Sequence, residues 1–165
     1  MPSTISRVLP ALKSEIPAWL EQWKFDRFVT LSTNGSVLPT SSSAPSNRRM
    51  TDVLKEWDGR VNRKLVGPDW ATKVVDRMWA FYFLEKPASN PHWHGLVRFE
   101  PYFPARRQSR AELFDLHAER IWKKLMPKGS VKILPIFDQR GVADYVSKGL
   151  PYPVSYEHFV TPDQF

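Results

Sequence analysis

The 165-residue chain has no cysteine, only 7 glycines and no long hydrophobic run. Without cysteine there is no disulfide scaffold, no thiolate ligand for zinc or an iron–sulfur cluster, and no thiol nucleophile. No stretch approaches the ~18 apolar residues of a membrane span, and the first residues lack the apolar segment of a signal peptide. We therefore expect a soluble protein that is neither exported nor anchored in a membrane.

Positive charge and aromatic rings, by contrast, are abundant. The chain has 24 lysines and arginines against 17 aspartates and glutamates, a formal net charge of +7, and 13% of its residues are Phe, Trp or Tyr. Cations neutralise phosphates and flat rings stack on bases, so this pairing favours a single-stranded nucleic acid as partner. A basic surface over an aromatic core would have the same composition.

Apolar periodicity predicts a mixture of strands and helices in a chain of single-domain length. Strand-like patterns occupy residues 27–33, 78–85, 92–100 and 131–137. Helical spacing predicts helices near residues 17–23, from residue 46 or 47 to Gly67, from a cap at Ser109 to Pro127, and over residues 138–150. This order folds most simply as an antiparallel sheet with two helices on one face, an α+β architecture of ferredoxin-like or RRM-like type.

Composition divides the chain into three parts. Prolines interrupt residues 1–25, which we interpret as an N-terminal arm. Residues 26–150 carry most of the predicted elements and form the expected domain. Residues 151–165 are a tail without lysine or arginine, so the basic surface belongs to the rest of the chain.

Two histidines share one face of the strand that begins at residue 92. Strand alternation puts His92 and His94 on the same side, where two imidazoles can bind one divalent cation if a third ligand is near. A symmetric hairpin would place Glu85 opposite His92, with Cβ atoms about 5 Å apart. We therefore predict a His92, His94 and Glu85 metal site, with Glu100 or Asp138 as alternative third ligands. Mg²⁺ or Mn²⁺ suits such a site for polarising a phosphate oxygen, and Fe²⁺ or Zn²⁺ is also compatible.

The last predicted helix brings a phenol and an ammonium group onto one face. Tyr145 and Lys148 are three residues apart, which is the spacing of neighbours on a helix surface. A phenol is a poor nucleophile at neutral pH, but a nearby cation favours its anionic form and a metal stabilises charge on an attacked phosphate. The alternative is an amphipathic end helix whose tyrosine packs in the core and whose lysine is solvated.

Three segments, in this order, resemble the motifs of HUH endonucleases, and most closely those of single-tyrosine rolling-circle replication initiators. They are Phe-Val-Thr-Leu-Ser at residues 28–32, Pro-His-Trp-His at 91–94 and Tyr-Val-Ser-Lys at 145–148. The resemblance covers about residues 26–150 and implies the HUH fold with a C-terminal nucleophile helix. It implies that His92, His94 and a nearby acid hold Mg²⁺ or Mn²⁺.

The resemblance also implies a reaction and its partners. Tyr145 would attack a phosphodiester of single-stranded DNA, giving a 5′-phosphotyrosine and a free 3′-OH, and Lys148 would aid positioning and charge. Reversal of this metal-assisted transesterification rejoins the strand without ATP. The DNA would be a replication origin, with a stem-loop, in the cytoplasm or in the host nucleus for a eukaryotic virus. No G-x-x-x-x-G-K-[ST] motif occurs in the chain, so unwinding would need a separate helicase, or the chain is an isolated domain.

The sequence departs from the family pattern in two places. Gly149 follows the lysine where some relatives have an acidic residue, a contribution that Asp144 could replace. Tyr152 and Tyr156 resemble the paired tyrosines of two-tyrosine initiators and are alternative nucleophiles, although flanking prolines argue against a helix there.

Basic and aromatic side chains supply candidate DNA contacts. Trp79 and Phe81 are candidates for stacking on bases from the sheet face. Arginines on the predicted helices and before the second long helix are candidate phosphate contacts, although such arginines also form ordinary solvated faces. They are Arg48, Arg49, Arg60, Arg63, Arg106, Arg107 and Arg110.

Three other functions fit parts of the pattern. A single-tyrosine HUH transposase would use the same groups for DNA mobility. A noncatalytic RRM-like protein would bind single strands on its sheet without forming a covalent adduct. An iron oxygenase with a His-His-carboxylate site would need an oxoacid and would not use Tyr145.

Overall fold

The computed structural model describes residues 13–35, 46–100, 104–150 and 158–165. The strands are β1 (Arg27–Ser32), β2 (Trp79–Glu85), β3 (His92–Arg98), β4 (Ser130–Pro135) and β5 (Phe159–Val160). The α-helices are α1 (Ile16–Glu21), α2 (Ser46–Val66), α3 (Pro104–Leu125) and α4 (Gln139–Lys148). Single 3₁₀ turns lie at Lys13–Glu15, Val74–Asp76 and Pro162–Gln164.

The strands form one five-stranded sheet in the order β4-β1-β3-β2-β5, in which every neighbouring pair is antiparallel. This confirms the predicted α+β class and antiparallel sheet, and it is compatible with a ferredoxin-like fold. The β2–β3 register pairs Glu85 with His92, as hairpin symmetry predicts. On the other side of β3, the register pairs Thr30 of β1 with His94.

The two long helices α2 and α3 pack together on one face of the sheet. Their apolar stripes are buried with strand residues such as Trp93 and Val97, on the side of β3 opposite the histidines. α3 begins at Pro104 rather than at the predicted cap Ser109. Proline suits a first helical position because its missing N–H would have no helical partner there. No helix in the described ranges is long and apolar enough to cross a membrane.

The opposite face is also covered, which differs from the prediction of helices on one face only. α1 and α4 pack there over Phe81, Phe83 and Leu96. The reason lies in β2, whose five central residues are all buried, so that both of its faces need a cover. Phe81 is 0% exposed beneath the Trp19 ring, so it cannot stack on a base as predicted. Trp79 packs against Trp23 in the same cluster.

Segments near both ends of the described chain help to cover the second face of the sheet. α1 lies within the segment predicted as an arm, and it packs against α4. β5 lies within the predicted tail and pairs with β2, where Phe159 stacks on Phe83. Trp19 of α1 contacts Phe159 edge to face, so the two ends meet over β2.

Candidate active site

A short hairpin between β2 and β3 places the predicted metal ligands together. β2 ends at Glu85 and β3 begins at His92, and the two residues are partners across the ladder. Lys86 turns the chain with a positive φ of 50°, and the Ser89 N–H donates to the Lys86 carbonyl oxygen. His94 follows on the same face two residues along the strand, because strand side chains alternate.

Glu85, His92 and His94 converge on one point. Nε2 of His92 lies 3.1 Å and Nε2 of His94 lies 2.6 Å from the same Glu85 oxygen, Oε2. One ligand atom from each of the three residues lies within 4.8 Å of the other two. The geometry therefore has the form of a ligand set for a single cation.

The second nitrogen of each imidazole, Nδ1, also has a hydrogen-bonding partner. Nδ1 of His92 lies 2.8 Å from the Asn90 carbonyl oxygen, which can only accept a hydrogen bond. Nδ1 of His94 lies 3.1 Å from Oγ1 of Thr30. Partners at Nδ1 fix the ring orientation and direct Nε2 to the shared carboxylate.

Burial and hydrogen bonding set the ionisation of this group. Burial raises the pKa of Glu85, but hydrogen bonds from His94 and His92 outweigh it and hold that pKa below its ordinary value. Burial lowers the pKa of His94, which outweighs the opposing hydrogen bond to Glu85. At neutral pH the site therefore contains a carboxylate and a neutral imidazole at position 94, which are the ligand forms of both groups.

Helix α4 carries Tyr145 to this group. Asp138 caps the helix by accepting a hydrogen bond from the Gly141 N–H at 2.8 Å. Ala143 and Val146 bury one side of the helix against the sheet, which leaves Tyr145 53% exposed. The Tyr145 ring lies edge to face with His94 at a centroid distance of 5.3 Å, so the phenol is exposed beside the ligand set, not plugged into the core.

A pocket of about 120 Å³ joins the two parts of the site. Glu85 and His94 line it from the strands, and Tyr145 and Lys148 line it from α4. The structure therefore brings together all the residues predicted as catalytic with two of the three predicted ligands in one recess. His92 adjoins it through Glu85.

The alternative ligands have other partners. Glu100 pairs with Arg98 at 2.7 Å, and Asp138 is occupied by the cap of α4. Asp144, the suggested replacement for a missing acid, pairs with Arg140 at 3.3 Å. Tyr152 and Tyr156, the alternative nucleophiles, lie outside the described residues.

Helix α2, which carries four of the predicted phosphate contacts, packs on the sheet face opposite the histidines. The Trp93 indole N–H donates to the Met50 carbonyl oxygen at 3.2 Å, which places the start of α2 beside the histidine strand. Arg48 is exposed near this end, and the Nε atom of half-buried Arg49 is buried without a hydrogen-bond partner. Further along α2 lie the exposed side chains of Arg60, which pairs with Glu56, and Arg63.

The arginines at the start of α3 lie near the other end of the sheet, since α3 follows the end of β3. Arg106 is exposed, whereas Arg107 is bound to Asp26 at 2.9 Å. Arg110 is only 8% exposed and donates to the carbonyl oxygens of Asp76 and Glu100. The phosphate contact predicted for Arg110 is therefore replaced by a structural role, because the protein backbone occupies its donors.

Two residues of β1 belong to the site although no individual role was predicted for them. Thr30 contacts Nδ1 of His94, and Phe28 stacks on the His94 ring at 5.3 Å. Phe28 also meets Tyr145 edge to face at 5.8 Å. Alternation puts both on one side of β1, but only the pairing of β1 with β3 reveals that this side faces the histidines.

No protein-family model, curated protein or solved structure matches this chain. The fold and site define an α+β protein whose sheet carries a His-Glu-His group beside an exposed tyrosine.

Proposed function

We propose that this chain nicks and rejoins single-stranded DNA through a covalent phosphotyrosine at Tyr145, as its resemblance to HUH endonucleases implies. One observation carries the proposal: an exposed phenol lies 5.3 Å, between ring centroids, from a histidine of a three-residue ligand set. Lys148 lines the same pocket. A nucleophile, a cation and a ligand set in one recess match the requirements of phosphoryl transfer.

The chemistry exchanges one phosphodiester for another. The Tyr145 oxygen bonds to phosphorus while the bond from phosphorus to the 3′-oxygen of the preceding nucleotide breaks. The phenol loses its proton and the departing 3′-oxygen gains one, which leaves a 5′-phosphotyrosine and a free 3′-OH. Attack of that 3′-OH on the phosphotyrosine reverses every step, so the strand is rejoined without an energy source.

The ligand set fits a divalent cation. Glu85, His92 and His94 present one oxygen and two nitrogens within 4.8 Å of one another, a donor set compatible with Mg²⁺ or Mn²⁺. Such an ion, when bound, polarises a phosphate oxygen and makes phosphorus more electrophilic. Lys148 would add positive charge where the phosphate becomes more negative.

A covalent adduct tests the nucleophile. We expect the protein, mixed with a randomised pool of single-stranded oligonucleotides and Mn²⁺, to give a DNA-linked band on a denaturing gel. Tyr145→Phe should abolish this band without loss of DNA affinity, because it removes only the attacking oxygen. A band that persists in Tyr145→Phe would exclude Tyr145, and no band from any sequence in the pool would exclude the proposed reaction.

The ligand set is tested with a histidine control. His92→Ala and His94→Ala should each lower the rate of adduct formation at least ~10-fold, since even outer partners of metal ligands contribute that much. His117→Ala removes a histidine of α3, on the other face of the sheet, and should leave the rate unchanged. Equal rates in all three variants would show that the histidines on β3 hold no catalytic ion.

The noncatalytic RRM-like alternative fits less well. Such a protein stacks bases on the aromatic residues of its central strands, whereas Phe81 and Phe83 of this chain are buried under α1 and α4. The transposase alternative uses the same site. Strand transfer between paired element ends would favour it, whereas nicking of a stem-loop beside the gene would favour initiation of rolling-circle replication.

A further inference from the structure

The sheet face that carries His92 and His94 is here called the site face. Side chains along its edge strand β4 are exposed. α1 and α4 pack over β2, β3 and β5, whereas β4 at the sheet edge carries exposed side chains on this face. The register pairs Lys132 with Thr30 and Leu134 with Phe28, and Thr30 and Phe28 both contact His94. Lys132 and Leu134 therefore lie on the same side of the sheet as the histidines.

Phe137 comes two residues after the end of β4 and directly before the Asp138 cap of α4. It is 91% exposed, although its neighbour Ile136 packs against the second core cluster. Tyr145 lies seven residues beyond the Asp138 cap, which corresponds to about 10 Å along the helix axis at ~1.5 Å per residue. That distance is about three nucleotides at the ~3.4 Å per nucleotide of a stacked strand.

The exposed surface also carries the positive charge of Lys132, in addition to the Phe137 ring. Lys132 is exposed and forms no ion pair with any residue in the described ranges. It lies two strands from His94, about 10 Å across the sheet at ~4.8 Å per strand. A cation and an aromatic ring within a few nucleotides of the nucleophile are the two contacts that hold a single strand by its phosphates and bases.

We propose that the surface formed by Lys132, Leu134 and Phe137, the β4 strip, is the path of the single-stranded DNA next to the cleaved phosphate. Phe137 stacks on a base and Lys132 contacts a backbone phosphate. This inference rests on the proposed function, since it assigns the binding of that substrate to residues outside the catalytic pocket.

The inference is tested by binding in the absence of chemistry. In the Tyr145→Phe background, with chelator, fluorescence anisotropy measures the affinity for a labelled single-stranded oligothymidylate. Phe137→Ala should weaken binding about 5- to 150-fold, the effect of losing one base stack, and Phe137→Trp should restore it. Leu116→Ala, which removes a 60% exposed apolar side chain from α3, is the matched control and should have no effect.

Salt dependence tests the lysine separately. Lys132→Gln should reduce the slope of log affinity against log salt by about 0.7, the value of one phosphate contact on a single strand. Lys124→Gln on the exposed surface of α3 should leave the slope unchanged. A slope that is the same in both variants would exclude Lys132 as a phosphate contact.

The outcomes separate this inference from the proposed function. If the unaltered chain forms the adduct but Phe137→Ala leaves the DNA affinity unchanged, the β4 strip is overturned and the nicking reaction stands. Loss of affinity in Phe137→Ala without adduct from any sequence would support the strip and overturn nicking. If the strip instead joins two copies of the chain, Phe137→Ala would halve the mass measured by light scattering and leave DNA affinity unchanged, which also overturns the inference.

Discussion

At the scale of single residues, Thr30 shows how one hydroxyl can support the ligand set. Its Oγ1 lies 3.1 Å from Nδ1 of His94, the ring nitrogen that does not face Glu85. Thr30 is therefore a positioning residue, which acts by holding the His94 ring with Nε2 toward Glu85. If a cation replaced the proton on Nε2, the hydroxyl could accept a hydrogen bond from Nδ1–H, as outer partners of ligating histidines do.

Replacing this hydroxyl should weaken metal binding. We expect Thr30→Val to lower Mn²⁺ affinity about 10- to 100-fold, because outer partners of ligating histidines contribute that much. Thr30→Ser keeps the hydroxyl and should bind Mn²⁺ nearly as well as the unaltered chain. Paramagnetic resonance of free Mn²⁺ measures this without any reaction, and equal affinity of the valine and serine variants would show that the hydroxyl does not position His94.

Residue patterns predicted that Glu85, His92 and His94 lie together because the three residues are close in sequence. Glu85 and His92 are neighbours in one hairpin, so their pairing follows from loop symmetry alone. Thr30 reaches His94 only through the pairing of β1 with β3, two strands far apart in the chain. A single sequence carries no local signal for that pairing, and the contact of Tyr145 with His94 could be predicted only through the resemblance.

At the scale of elements, β3 depends on a glycine at the middle of the strand. Gly95 is the ladder partner of both Val29 and Tyr82. A Cβ atom at position 95 would lie 2.6 Å from the Val29 Cγ1 atom and 2.8 Å from the Tyr82 ring. Both contacts are too short, so the three strands can approach this closely only because residue 95 has no side chain.

Gly95→Ala should therefore destabilise the fold. We expect the free energy of unfolding to fall by about 1–3 kcal/mol, the usual cost of overpacking a core. Gly149→Ala is the control, because its Cβ would meet the Glu85 side chain at an ordinary 3.7 Å and should not lower stability. Urea unfolding followed by fluorescence compares the two variants, and a stable Gly95→Ala would mean that the strands can move apart at no cost.

Among the elements that cover the site face, β5 was the least predictable, because it is only two residues long. The helices α1 and α4 agree with the predictions near residues 17–23 and over 138–150, but their packing on this face was not predicted. The aromatic run of β2 predicted a strand correctly, but a run buried on both faces has no alternation to show which ring faces solvent. For that reason the sequence predicts that Phe81 stacks on a base, whereas its ring lies beneath Trp19.

At the scale of the whole molecule, a buried polar network links a helix to the sheet. Asp58 of α2 accepts hydrogen bonds from the Tyr82 hydroxyl at 3.0 Å and from the Asn62 amide at 2.7 Å. The Asn62 side-chain oxygen accepts in turn from the Met78 N–H. Burial raises the pKa of Asp58 to about 7, although both hydrogen bonds act to lower it.

This network makes stability depend on pH. The unfolded chain releases the Asp58 proton near pH ~4, whereas the folded chain keeps it until about pH 7. Between these values the unfolded state binds fewer protons, so the free energy of unfolding falls as pH rises. At ~1.4 kcal/mol per pKa unit the fall is on the order of a few kcal/mol, and it ends above the folded pKa.

Asp58→Asn should remove this dependence. Its stability, measured by urea unfolding at about pH 5 and about pH 8, should change less between the two values than that of the unaltered chain. Asp52→Asn alters an exposed carboxylate on the same helix and should keep the original profile. An unchanged profile in Asp58→Asn would mean that the buried carboxyl titrates alike in the folded and unfolded chain.

Strand β3 serves two parts of the molecule at once. His92 and His94 point to the ligand set, and Trp93 between them is fully buried in the core of the opposite face. A single residue inserted within this strand would exchange the two faces for the residues beyond it, moving a large apolar ring into the site and an imidazole into the hydrophobic core of the other face. Descendants of this gene can thus vary β3 by substitution, whereas changes of length are confined to the loops at its ends.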